Sequence, residues 1–83
     1  MNDETFAVWE WLPEDWHQKV AGGLSLGEAV ARAKRSTDKP AVALGVILKV
    51  SITSEADDAT VFLWERGKGV VYPDMVGETH GTA

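Results

Sequence analysis

The sequence predicts an α+β domain: a mainly antiparallel sheet of about five strands with helices packed on one face. Three observations carry this. The run "VILKVSIT", Val46–Thr53, alternates apolar and polar residues with the period of a half-buried strand. "SLGE", Ser25–Glu28, is the start signal of an amphipathic helix. Turn signals, "PED", "SEADD" and "RGKG", separate the remaining apolar runs at short intervals. The expected order is strand, strand, helix, short helix, strand, strand, strand. Helices on one side of an antiparallel sheet are the arrangement that buries such elements.

The first strand is expected from Thr5 to Leu12, a stretch of aromatic and β-branched residues that suits a pleated surface. Ala7, Trp9 and Trp11 share one of its faces; Phe6, Val8, Glu10 and Leu12 share the other. "PED" turns the chain, since proline presets φ and aspartate tolerates tight geometry. Trp16–Val20 returns as the second strand, and "AGG", Ala21–Gly23, closes the hairpin.

The helix runs from Leu26 to about Ser36. Ser25 and Glu28 form a capping box in which each side chain satisfies a backbone donor. Leu26, Ala29, Val30 and Ala33 recur at the spacing of one helical face. The alanines allow close approach to a sheet. "DKPAVALG" reads as a short second helix, with Asp38 as cap, Pro40 in the first turn and Gly45 as terminator; the alternative is the beginning of the next strand. In the third strand Val46, Leu48, Val50 and Ile52 share a face, with Ile47, Lys49, Ser51 and Thr53 opposite. Ala59–Glu65 is apolar on both faces, Val61 and Leu63 on one, Phe62 and Trp64 on the other. "VVYP" is a short last strand. Residues 5–73 thus form one domain, between a frayed start at 1–4 and a mobile tail at 74–83.

Eighty-three residues bury only about 60–65% of their unfolded surface. No cysteine supplements the core. The four tryptophans therefore matter to stability, and three of them, Trp9, Trp11 and Trp16, fall within eight residues. Only one sheet face can meet the helices. Two accounts of the other face fit: loops, the tail or a second copy cover it, or part of it is a recognition surface, since exposed aromatic patches mark interaction sites.

The net charge of −5 argues against unaided binding to nucleic acid or to an anionic membrane. It is compatible with a basic protein partner. No signal peptide and no apolar run of about 20 residues is present, so a cytoplasmic location is expected. His17 and His80 are not at metal-ligand spacing and read as surface residues. "GKG", Gly67–Gly69, reads as a hairpin turn rather than a phosphate loop. No serine or threonine is set beside a base, so an enzyme is not expected, and neither is a cofactor or metal.

The acids are uneven. The first sixteen residues hold five acids and no base, and Glu55, Asp57 and Asp58 occupy the turn between the third and fourth strands. Charged turn tips are what any hairpin shows; clustered carboxylates on a rigid scaffold can also imitate nucleic-acid phosphates and occupy a basic site.

The segments "FAVWEWLPED", "SLGEAVARA" and "FLWERGKGVVYP" resemble small single-domain proteins of bacteria and their phages. The size, acidity and element order also resemble those of anti-CRISPR proteins. That resemblance implies a stoichiometric inhibitor that covers the basic nucleic-acid-binding surface of a CRISPR effector complex. Its contacts would be Glu14, Asp15, Glu55, Asp57 and Asp58 for charge, and Trp9, Trp11 and Trp16 for the apolar part. A second reading from the same two-faced strands is a small accessory protein that forms a homodimer through an apolar sheet face.

Overall fold

The computed structural model describes residues 4–73. Five strands, β1 (Phe6–Trp11), β2 (His17–Leu24), β3 (Lys49–Ser54), β4 (Thr60–Glu65) and β5 (Gly69–Tyr72), form one antiparallel sheet in the order β2-β1-β3-β4-β5. The main helix α1 (Leu26–Thr37) packs across β1, β2 and β3 on one face, and α2 (Pro40–Ala43) follows it. This is the expected α+β fold. The frayed start, except for Glu4, and the tail at 74–83 lie outside the described residues.

Each element follows from local chemistry. Ser25 accepts from the Glu28 amide at 3.1 Å, and Glu28 accepts from the Ser25 amide at 2.9 Å, which closes the capping box at the start of α1. Such a cap contributes about 0.5–2 kcal/mol. Ala29 and Ala33 are fully buried, and their small size lets α1 sit close to the sheet. Beneath them lie Phe6, Val8, Val50 and Ile52, the inward residues of β1 and β3. Each fully buried Val or Ile here contributes roughly 1.5–3 kcal/mol. Phe62, Trp64 and Val42 extend this core toward β4.

One carboxylate enters that face. Glu10 is 2% exposed and accepts from Ser36 Oγ at 2.7 Å, Lys39 Nζ at 2.7 Å and Gln18 Nε2 at 3.2 Å. Burial acts to raise its pKa. The hydrogen bonds from Lys39, Ser36 and Gln18, together with the Lys39 charge, outweigh burial and hold the carboxyl below the ordinary range.

Three details differ from the sequence reading. First, "AGG" does not close the hairpin but lies inside β2. Eight residues of β2 face six of β1 because the register slips between Phe6 and Val8 and between Val8 and Trp9. These bulges absorb the extra residues, with Gly23 at φ 66°. Second, β3 begins at Lys49, not Val46. The amides of Val46 and Ile47 both bond to the Ala41 carbonyl, so the chain is still leaving α2 there. Strand alternation has not begun: Ile47 is buried and Val46 is exposed, the reverse of the expected facing. Third, Asp38 is the C-cap of α1, and Lys39 occupies the N-cap of α2.

Candidate functional site

The β1–β3 register builds a groove on the sheet face opposite α1. Trp9 pairs with Ser51 and Trp11 with Lys49 across the two strands. Neither indole stands over its own partner. Trp9 Nε1 donates to Thr53 Oγ1 at 3.0 Å, and Trp11 Nε1 donates to Ser51 Oγ at 3.0 Å. Both rings reach across to β3, and each leans one same-face step toward the β3–β4 turn. Their only polar hydrogens are satisfied within the sheet. What the indoles offer a ligand is therefore ring face and edge, with no free donor.

His17, at the start of β2, completes the aromatic wall. Its ring stacks on Trp11, with centroids 4.4 Å apart and planes at 28°, and meets Trp9 at 5.5 Å with a tilt of 56°. The groove has a volume of about 480 Å³. Leu63 borders it on β4, and Tyr72 on β5 lies directly across from Leu63 on the same face. Lys49 marks one end. Thr53, Thr60 and Asp58 mark the other. This volume is in the range of natural binding clefts; the lining combines the aromatic wall with polar side chains from β3, β4 and the turn between them.

The expected contact residues divide. Trp9 and Trp11 line the groove, whereas Trp16 stands outside it, 69% exposed, beside a single 3-10 turn at Pro13–Asp15. Trp64, the fourth tryptophan, faces the core side with Val50 as its partner on β3. Glu14 and Asp15 occupy that 3-10 turn with φ of 63° and 65°, at the Trp11 end of the sheet. Glu55, Asp57 and Asp58 sit at the opposite end. The six residues of β1 separate the two acidic groups by about 20 Å. The fold therefore sets the acids at the two ends of an aromatic groove instead of gathering them on one face.

The second group divides again. Glu55 accepts from Thr5 Oγ1 at 2.6 Å and from the Gly23 amide at 3.0 Å, and it pairs with Lys19 at 3.2 Å. The Thr5 hydrogen bond, then those of Lys19 and Gly23, hold its carboxyl below the ordinary range. Its oxygens tie β1, β2 and the end of β3 together. Asp57 accepts from the Ala59 amide at 3.1 Å within the turn. Asp58 alone among the five expected acids lines the groove.

Sequence reading missed His17, Lys49 and Leu63 as groove residues. His17 was expected on the surface, and the signal that joins it to Trp11 is the hairpin register, Trp11 opposite His17. No such signal exists for Lys49 or Leu63, because their place depends on pairing between distant segments.

His17 Nδ1 lies 3.4 Å from the Asp15 carbonyl, and among the described residues no hydroxyl bonds to its ring. Among the described residues no three His, Asp or Glu side chains could hold a metal ion together. No helix among them is long and apolar enough to cross a membrane. No known protein family matches the chain, and neither a curated protein nor a solved structure does.

Proposed function

We propose that this protein is a non-catalytic protein-binding module that docks its partner in the groove of Trp9, Trp11 and His17. The observation that carries this reading is the placement of two tryptophans on the helix-free sheet face, with both indole N–H groups already satisfied. Large aromatic rings held rigidly at a surface are the usual anchors of protein interfaces. In its finer form the protein is a cytoplasmic, phage-type stoichiometric inhibitor of the anti-CRISPR kind, bound to the basic nucleic-acid site of its target. Glu14 and Asp15 at one end, and Asp57 and Asp58 at the other, would meet lysines and arginines that flank an inserted apolar segment. Glu55 contributes to the hairpin's geometry and less to this charge pattern.

The test compares wild type with Trp11→Ala, whose side chain lies outside the core. Each is immobilised and exposed to purified CRISPR effector complexes and to host lysate. The reading expects a protein with a basic nucleic-acid-binding surface to be captured by wild type and lost by the variant. Equal capture by both would remove the groove from the interface. Reversing Asp57 and Asp58 to lysine is expected to slow association, with an effect that shrinks as salt rises.

A second reading is a homodimer through the same face. Lys49 and Asp58 at opposite ends of the groove favour it. A copy rotated about a two-fold axis across the strands sets each lysine against the other's aspartate, as an isologous interface requires. Light scattering over a concentration series decides: a strict monomer at high concentration excludes it.

A further inference from the structure

Asp58 is the one acid that shares a groove with the tryptophans. Its backbone lies at φ 60°, and its amide bonds to the Ser54 carbonyl at 2.8 Å. Its carboxylate has no hydrogen-bond or ion-pair partner among the described residues. Trp9 leans toward it, because the indole bonds to Thr53 rather than to its direct partner Ser51. The groove's lysine is at the other end: Lys49 lies four residues before Thr53 on β3, about 13 Å away along the strand. His17 stacks on Trp11 and meets the Trp9 ring at 5.5 Å.

We infer that the Asp58 end of the groove is an arginine site, in which a guanidinium from the partner lies against the face of Trp9 and pairs with the Asp58 carboxylate. This rests on the protein-docking reading above and names the side chain that the groove selects. Three features of guanidinium chemistry fit the site. Its flat, weakly hydrated cation stacks on an indole face. Its fork of N–H groups matches a carboxylate. Its remaining donors find hydroxyl acceptors in Thr53 and Thr60, which line the same end. Lysine offers a compact, strongly hydrated charge that stacks less well and cannot bind a carboxylate in bidentate fashion. An acidic side chain would meet Asp58 with like charge. The net charge of −5 supports a basic partner over long range, and the Trp9–Asp58 corner supplies the local selection.

The experiment titrates the whole protein with four blocked tripeptides, acetyl-Gly-X-Gly-amide with X as arginine, lysine, citrulline or glutamate, and follows the indole N–H signals by NMR. Trp16 and Trp64 serve as internal controls. The arginine peptide is expected to shift the Trp9 signal saturably at millimolar concentration, and citrulline, of the same shape without charge, to bind about three- to tenfold more weakly. Asp58→Asn keeps the shape and tolerates positive φ, so the fold is retained. It is expected to weaken the arginine peptide by a similar factor. Equal binding of arginine and citrulline, equal binding of arginine and lysine, or an Asp58→Asn variant with unchanged affinity would each overturn the arginine site. If partner capture is lost in Trp11→Ala while the peptides fail to discriminate, the docking face stands and the arginine site falls. If the peptides discriminate while capture is unchanged in Trp11→Ala, the docking reading fails instead.

Discussion

Lys39 and Glu10 meet at 2.7 Å, one from the link between the two helices and the other from the inward face of β1. The carboxylate is 2% exposed, whereas the lysine side chain retains 40% of its exposure. The pair fastens the end of α1 to the sheet, because Ser36 of α1 donates to the same oxygen of Glu10. Replacing one member of a buried polar cluster leaves the others without a partner. Glu10→Gln is therefore expected to lose about 1–3 kcal/mol at neutral pH. The Glu10 pKa is lowered in the folded protein, so its contribution is present above the unfolded value of about 4.3 and is lost as pH falls through the folded value. Urea unfolding of both proteins near neutrality and at about pH 3 checks this. A stability gap of the same size at both pH values would show that charge is not its source.

Ala33 is fully buried on the sheet-facing side of α1. Ala33→Leu adds three carbons where no space exists and is expected to cost about 1–3 kcal/mol. Ala31, on the exposed side of the same helix, is the control. Ala31→Leu is expected to change stability by less than about 0.5 kcal/mol. Equal effects of the two substitutions in denaturant melts would mean that α1 does not pack through its alanine face.

Trp16 and Trp64 predict opposite outcomes. Trp16 is 69% exposed, so Trp16→Ala is expected to shift stability by no more than about 0.5 kcal/mol. Trp64 packs against Val50 and the core, and Trp64→Ala is expected to cost about 2–4 kcal/mol. Thermal melts of the two variants measure both. A large loss from Trp16→Ala would place that ring in the fold and not at the surface.

Glu14 holds φ at 63° in the 3-10 turn, where an L side chain with a Cβ crowds the following carbonyl. Glycine has no such penalty but loses more chain entropy on folding. The balance favours Glu14→Gly by about 0.5–1 kcal/mol. The same substitution removes one carboxylate from the Trp11 end. Greater stability together with slower association to a basic partner is the expected combination. A destabilised variant would mean that the Glu14 side chain supports the turn.

Most of the architecture is legible from local pattern. The capping box, the alanine face of α1, the two faces of β1 and the turns at Pro13 and Gly67 each depend on residues within a few positions of one another. Short-range sterics and hydrogen bonds decide such features, so the chain states them directly. The start of β3 is different: Val46 and Ile47 continue the apolar pattern of the strand, yet their amides bond back to the Ala41 carbonyl, which holds them out of it.

The binding face belongs to the other kind of information. Sequence pattern alone placed Trp9 and Trp11 together on one side of a strand. It did not say which side α1 would cover, or that Thr53 and Ser51, 44 and 40 residues away, would take the indole hydrogens. It grouped Glu55 with Asp58, yet the β1–β2 hairpin consumes one carboxylate and leaves the other at the mouth of the groove. Register between distant strands settles these matters. A one-residue slip would move every side chain to the opposite face, and only the packed sheet excludes it.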